Sequence, residues 1–442
     1  MLTLPAIRRH GTRRPVLAGL IMLVLLVSLL TYQHGSLNFG VYRYDLNVYR
    51  VGAKAWMHGH SLYAPLPPIA NGMVEPFTYP PISAVAMAPL ALVSDTVAGV
   101  LMTVVSLALL VCVLVLFLRA TRLATGPGSW KLAVATLPLT ALIEPVRTTL
   151  ALGQINIVLM ALVAFDLLLP STWFTVAGHT VGWPRGALTG IAAALKLTPL
   201  VFLLYFVARR DWRGAGSLAG AFLVVTAVGF ALGPGDSRQY WTSTVFDTGR
   251  IGAPYFSSNQ SINGVLARAH LTGTAETAVW LAASALIAVV ALIAIQNAVR
   301  GGRTVTALAL TACTELLVSP VSWSHHWVWA APVLLCALLK FWRRRSVEGT
   351  RPLLIAGLVT AVFLAAPQIW FPHSNNRELG WAWWEQVIGS AYVWVGLVTL
   401  ALCALRHVRA RRAPGDARAP RRVPPSDTRA PSNISTRNIS TL

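Results

Sequence analysis

The chain has 442 residues, of which 55% are hydrophobic and 12% charged, and its mean hydropathy is +0.61. Soluble domains carry about 25% charged residues, so a single large soluble core is excluded and a polytopic membrane protein is expected. The formal net charge of +21 comes from 36 Lys and Arg against 15 Asp and Glu. Much of it sits at the ends of apolar runs and in the tail, a pattern of membrane orientation and attraction to anionic headgroups rather than of nucleic-acid binding.

In chain order, Arg8, Arg9, Arg13 and Arg14 precede an apolar run from about Val16 to Thr31. No small-residue cleavage site follows, which predicts a retained signal anchor with its start inside the cell. Residues 33–81 are expected to form a long polar external loop, carrying VYRYDLNVYR (Val41 to Arg50) and closing on Tyr79, Pro80 and Pro81. The next block, Ile82 to Leu118, is apolar but for Ser94, Asp95 and Thr96, and Ala98 to Leu118 is long enough to cross roughly 30 Å of hydrocarbon.

Basic flanks recur near Arg119, Arg209, Arg300, Lys340 and Arg406, and the positive-inside rule puts all of them in the cytoplasm. The 82–118 block then crosses once, so Ile82 to Val93 dips without crossing. If that segment crosses instead, the arginines after Leu118 fall outside. Spans over about 131–145 and 153–170 leave EPVRTTLALGQ, Glu144 to Gln154, on the outer side. Gly186 to Arg209 must leave and return, as two half-helices meeting at Lys196, Leu197, Thr198 and Pro199, because proline removes a backbone donor and clashes with the preceding turn. Irregular backbone at that depth requires surrounding protein or a watery cavity. Further spans over about 215–233, 276–298, 304–320, 326–340, 353–371 and 387–405 bring the total to about twelve. The expectation is an all-α membrane domain over 1–405 and a basic, disordered cytoplasmic tail over 406–442 lying along the inner leaflet. Cys112, Cys313, Cys336 and Cys403 all lie in apolar runs without metal-ligand spacing and read as small core residues.

In this topology the unusual polar groups converge on the outer side, although only Lys and Arg flanks fixed the orientation. Asp45, flanked by Tyr44, is a carboxylate just beyond a membrane span in an acid-poor chain, where a lipid-linked substrate can reach it; it is the candidate catalytic base, the alternative being a loop aspartate paired with Arg43 or Arg50. Lys196 at the centre of a helix would cost roughly 2.5–3.5 kcal/mol unless solvated or paired, which points to anion binding. Arg147 either joins it or pairs with Glu144; Gln154 and Asn156 follow on the same connection. His325 and His326, within SWSHHW, are adjacent and so face different ways, and they lack partners at metal-ligand spacing. Asn259, Gln260 and Asn263 within SSNQSIN suit either sugar hydroxyls or turns, and Trp381, Trp383 and Trp384 suit an interfacial belt. The sequence has no phosphate-cradling loop, dinucleotide fingerprint or nucleophile elbow. A transferred group must therefore come from a donor already in the membrane, and no cofactor is expected.

YDLNVYR after the first span, FTYPP closing the loop, GQINIVL, AAALKLTP, SSNQSINGV and SPVSWSHHW, in this order, resemble glycosyltransferase family 87 over about residues 16–405. The resemblance implies a GT-C fold with about twelve transmembrane helices and its essential carboxylate in the first external loop, matching Asp45. It also implies a polyprenyl-phosphate sugar donor, a glycolipid mannoside acceptor and an α-(1→2) product, formed at the outer face of the plasma membrane. A β-linked donor giving an α-linked product means inversion, so one base on the acceptor hydroxyl suffices and paired carboxylates of the retaining kind are not needed. The leaving phosphate would be stabilised by cations, for which Lys196, Arg147 and one of His325 or His326 are the candidates. Tyr44, Tyr79, Glu144, Gln154, Asn156, Asn259, Gln260 and Asn263 are expected to contact substrate, with no metal required. The wording resembles the mannosyl branch more than the arabinofuranosyl one. A lipid-linked sugar transporter is the alternative from another class, but it would carry paired broken helices in inverted repeats, and only one break, at KLTP, is clear.

Overall fold

The structure, a computed structural model, describes residues 43–69, 72–170, 172–176 and 179–412. The expected signal anchor and the tail beyond 412 lie outside the described residues. The first external loop is not simply irregular: Tyr44–Met57 is a helix, α1. Its buried Leu46, Tyr49 and Ala53 recur at helical spacing, and Asp45 in its first turn and Lys54 in its last complement the helix dipole. Gly52 lies against the Phe77 ring so closely that any Cβ would overlap it, which folds the loop's return segment back onto α1.

Helix α2, Pro81–Ala91, is 11 residues long and rises about 16 Å, roughly half the hydrocarbon thickness. Arg50 of α1 donates from Nε to the Leu90 carbonyl at 2.9 Å, from Nη2 to that of Val93, and pairs with Asp95. One buried side chain thus closes the end of α2 and ties it to the start of α3, Asp95–Ala120. Helix α3 is 26 residues long and presents Val100, Leu101, Val104 and Val105 outward, an apolar exterior suited to lipid.

Next come α4 (Gly126–Leu142), α5 (Glu144–Leu152) and α6 (Asn156–Leu168). Helices α5 and α6 are bent by 118° across the residues between them. A two-stranded antiparallel hairpin, β1 (Thr172–Val176) with β2 (His179–Gly182), departs from the all-α expectation. Helix α7, Ala187–Leu195, then stops at Lys196, whose backbone is extended, and a 3-10 turn, Thr198–Phe202, leads into α8, Leu203–Arg209. The break expected at KLTP is therefore present.

Helix α7 starts without a side-chain cap of its own. Asp166 of α6 supplies one, accepting from the backbone nitrogens of Gly186 (2.8 Å) and Thr189 (3.0 Å) and from the Thr189 hydroxyl (2.6 Å). Helix α9, Trp212–Leu232, packs on α7 through Gly186 and Gly190, where a Cβ would strike the backbone of Gly214 and Leu218. Such glycine contacts let helices in lipid approach closely.

The remaining helices are α10 (Pro234–Thr242), α11 (Ile262–Arg268), α12 (Gly273–Arg300), α13 (Thr304–Val318), α14 (Ala330–Glu348), α15 (Arg351–Ala365), α16 (Trp383–Gly389) and α17 (Ala391–Arg412). By length and composition, four helices among the described residues can cross a membrane, or up to six if each bent pair is one span. The sequence reading expects about twelve. The difference comes from helices that are short or interrupted, as at Pro199 and between Leu152 and Asn156.

Replacing Asp166 by Ala removes the only side-chain cap seen on the α7 start. It should destabilise the protein by about 1–2 kcal/mol, read as a lower melting temperature in detergent, with Asp166→Asn retaining part of the loss.

Candidate active site

The site is assembled around α1. Asp45, Val48 and Tyr49 lie three and four residues apart on one helical face and border a cavity of about 580 Å³. Asp45 is half-buried, open toward this cavity and enclosed by protein elsewhere. The two arginines that could neutralise it are engaged elsewhere: Arg43 donates to the Leu150 carbonyl at the end of α5, and Arg50 pairs with Asp95. The carboxylate instead accepts from Gln154 Nε2 at 2.8 Å.

Gln154 reaches it because Gly153 ends α5 in the left-handed region (φ +69°). A Cβ there would come within 2.8 Å of Leu46 Cβ and 3.0 Å of Arg43 Cβ, so the turn requires glycine. The Gln154 carbonyl in turn accepts from the Tyr49 hydroxyl at 2.5 Å, and Tyr79 lies 3.0 Å from Tyr49. Burial pushes the Tyr79 phenol up to about 12 and raises Tyr49 as well, so both stay protonated and able to donate. Burial likewise pushes the Asp45 carboxyl up to about 6, opposed by the Gln154 hydrogen bond and by Lys196 and assisted by Glu75.

Beyond Tyr79 lies the cationic part. Lys196 sits over the Tyr79 ring, 5.5 Å from its centroid, with Nζ 3.1 Å from Asn156 Oδ1 and 3.1 Å from His326 Nε2. The extended backbone at Lys196, where α7 ends, aims this side chain at the cavity rather than along a helix face. His325 and His326 stack edge to face at 4.8 Å, and both border the cavity. The His325 carbonyl is fixed by the Thr149 hydroxyl (2.8 Å) and Asn156 Nδ2 (3.0 Å), while its Nε2 has no partner among the described residues. Beneath Lys196 is a pocket of about 30 Å³, lined in part by Asn156, Glu315, Ser322 and His326, with room for a single water-sized group.

Of the residues expected in the site, Tyr44, Asp45, Tyr79, Gln154, Lys196, His325 and His326 border one cavity, and Asn156 holds Lys196 from behind. Five others do not reach the cavity. Glu144 is buried, its carboxylate bound by Thr148 (2.9 Å), Ser324 (2.8 Å) and Tyr392 (3.0 Å). Arg147, one helical turn along α5, is half-buried outside the cavity wall and makes no ion pair with Glu144 among the described residues.

Asn259, Gln260 and Asn263 are buried as scaffold. Asn259 donates to Pro254 and Pro320 and accepts from Ser261 and from the Ser322 nitrogen; Gln260 binds the carbonyls of Ser257 and Gly389; Asn263 donates to Pro320. The amides of Asn259 and Asn263 bond the backbone of Pro320 and Ser322, in the segment that carries Trp323 and the two histidines to the cavity. All three amides donate to backbone carbonyls of the scaffold, and none of the three borders the cavity.

Other cavity residues escaped the sequence reading. Tyr49 was legible in principle, four residues after Asp45 on a helix. Glu75, hydrogen-bonded by the Tyr44 hydroxyl, and Arg250 arrive from separate loops and carry no local signal, whereas Trp323 belongs to the SWSHHW cluster already singled out. No three His, Cys, Asp or Glu side chains gather as a metal-ligand set among the described residues.

Two shifts in titration follow. Gln154→Leu removes a hydrogen bond that favours the ionised carboxylate, so the Asp45 pKa moves above about 6. Glu75→Gln removes a like charge and moves it below. Any activity needing ionised Asp45 should show its acid limb displaced upward in the first variant and downward in the second, measured as kcat/KM against pH.

Residues 77–320 match glycosyltransferase family 87. The chain is 38% identical over 388 residues (84% of this chain, 87% of the relative) to a polyprenol-phosphate-mannose-dependent alpha-(1-2)-phosphatidylinositol mannoside mannosyltransferase of Mycobacterium tuberculosis (strain ATCC 25618 / H37Rv). It is also 38% identical over 385 residues (82% and 84%) to a protein of the same description from Mycolicibacterium smegmatis (strain ATCC 700084 / mc(2)155). It is 31% identical over 424 residues (92% and 93%) to a polyprenol-phosphate-mannose-dependent alpha-(1-2)-phosphatidylinositol pentamannoside mannosyltransferase of Mycobacterium tuberculosis (strain CDC 1551 / Oshkosh). No solved structure matches the chain.

Proposed function

The chain belongs to glycosyltransferase family 87, and from that premise we propose that it is a polyprenyl-phosphate-mannose-dependent α-(1→2)-mannosyltransferase acting on a phosphatidylinositol mannoside or a related glycolipid mannoside. The observation that carries the reading is that Asp45, in no ion pair among the described residues, and Lys196, held in a polar cage, face one cavity. The names of the relatives support the donor and the acceptor class.

In the proposed reaction an acceptor hydroxyl enters beside Asp45. The Asp45 carboxylate takes the hydroxyl proton as the oxygen attacks C1 of the donor mannose, and the bond from C1 to the phosphate oxygen breaks. Gln154 holds the carboxylate in place. The departing phosphate carries the negative charge toward Lys196, backed by His326 and with His325 at its side. A preorganised ammonium walled by protein stabilises this charge more than it would in bulk water. Tyr79 adjoins both groups, its hydroxyl beside Gln154 and its ring under Lys196.

The donor's lipid also has a place to lie. A groove of about 230 Å³, lined only by apolar residues, runs between α2, α3 and α6 and includes Leu195 and Ile155, the neighbours of Lys196 and Gln154. With the phosphate at Lys196, the first isoprene units fit along this groove. Arg147 lies outside the cavity and carries no part in this account.

The same reading assigns a GT-C topology of about twelve crossings, with the loop over 33–81 and the cavity at the outer face of the plasma membrane, and the tail over 406–442 inside. The basic flanks at Arg119, Arg209, Arg300 and Lys340 support that orientation.

The test is transfer from radiolabelled polyprenyl-phosphate-mannose to a phosphatidylinositol mannoside by the purified protein. Asp45→Asn should lower kcat by at least about 100-fold, the scale of a lost general base, and near-normal turnover would overturn the mechanism. Lys196→Ala should raise the KM for donor with a smaller change for acceptor. Transfer from the arabinose-bearing lipid instead of the mannose-bearing one would overturn the substrate assignment.

A further inference from the structure

The end of the bundle opposite the candidate site holds a second cavity, of about 360 Å³. Helix α13 connects the two: Ser319 just past its end borders the catalytic cavity, and Arg303 just before its start borders the second. The helix between them spans about 22 Å. Most of the second cavity is apolar, walled by Leu310, Val333, Leu334, Phe363 and Val395 from four helices. Its charged groups are Arg303 and Lys340. Because α13 and α14 are joined by the short segment that carries the histidines, the start of α13 and the second half of α14 lie at the same end. Both cations therefore border the far end, Arg303 also donating to the Asn297 carbonyl at 3.1 Å, and the apolar wall runs from them toward Leu316 and Trp329, which also line the small pocket beneath Lys196.

We infer that this cavity binds an anionic phospholipid, its phosphate between Arg303 and Lys340 and one acyl chain along the apolar wall. The volume is that of a ligand site and the lining has the usual form, mostly apolar with few polar groups that fix orientation. An apolar cavity does not hold ordered water well, whereas an acyl chain restores the contacts its lining lacks. The headgroup is chosen by charge: Arg119, Arg122, Arg300, Arg343, Arg344 and Arg345 flank the same end, and Glu348 is already paired with Arg344. Basic pockets between transmembrane helices recognise anionic headgroups in this way.

The probe is phosphatidylglycerol against phosphatidylcholine of the same acyl chains. Each is offered to the full-length protein in neutral detergent, and retained lipid is counted by native mass spectrometry. Phosphatidylglycerol should be retained as one equivalent and at least about tenfold more strongly than phosphatidylcholine. The double variant Arg303→Gln with Lys340→Gln should lose that preference. Ala337→Phe, which adds bulk to the cavity wall, should lower retention of both lipids. Arg343→Gln with Arg344→Gln and Arg345→Gln, which alters charge outside the cavity, should keep the preference. Equal retention of the two lipids by the wild type would overturn the proposal, as would wild-type retention in Ala337→Phe or a preference abolished only by the triple variant. Should the double Gln variant fail to fold, Ala337→Phe and the triple variant decide the question between them.

Discussion

The arrangement depends on keeping a carboxylate away from its nearest cations. Asp45 lies within a few residues of Arg43 and Arg50, and a simple ion pair with either would fix it as a structural aspartate. Arg43 is drawn to the exposed carbonyl at the end of α5, and Arg50 to two carbonyls at the end of α2 and to Asp95. Both engagements add side-chain donors near helix ends, where the last carbonyls lack intrahelical partners. They also leave Asp45 with one neutral donor, Gln154, which orients a carboxylate without neutralising it. The short helices around the site thus serve more than packing, because their ends occupy the guanidinium groups that would compete for the carboxylate proposed as base.

A similar economy of partners explains Lys196. An ammonium at this depth costs several kcal/mol unless its hydrogen-bonding capacity is met, and the Asn156 amide and the His326 ring meet part of it. Neither is anionic, so the positive charge stays uncompensated at close range. A lysine so caged fits the anion-binding role proposed for it, whereas a lysine salt-bridged to Glu315 would be scaffold; no such ion pair occurs among the described residues. The amides of SSNQSIN support the cage indirectly. By saturating the backbone around Pro320 and Ser322 they fix the segment from which His325 and His326 project.

How much of this was legible in the sequence follows from how local each determinant is. The break at KLTP was readable because proline and lysine in an apolar run have no comfortable helical reading. Asp45 was readable because acids are rare in this chain. The helix containing it was missed because YDLNVYR is polar enough to pass for loop, its buried face emerging only from the spacing of Leu46, Tyr49 and Ala53. The amides of Asn259, Gln260 and Asn263 misled for a physical reason: a carboxamide that binds a sugar hydroxyl and one that binds a backbone carbonyl are the same residue, and only the burial of the loop separates them. Glu144 was similar, since its three hydroxyl partners come from α5 itself, from the 3-10 turn at Ser324 and from α17. Span counting suffered where helices are bent or cut short, because hydropathy sees apolar length and not direction.

Separation of base and cation matters chemically for displacement with inversion. The nucleophile and the leaving group then occupy opposite faces of the anomeric carbon, so the groups serving them must also stand apart. A carboxylate and an ammonium facing one cavity attract each other, and a rigid group packed against both sides limits their approach. Tyr79 has that placement, with its hydroxyl directed to the Tyr49 and Gln154 side and its face under the Lys196 ammonium. It is itself positioned by the rigid Tyr-Pro-Pro corner that begins α2. The motif closing the external loop therefore carries a mechanical role in the proposed reaction: it places one aromatic ring in contact with both the carboxylate's support and the ammonium.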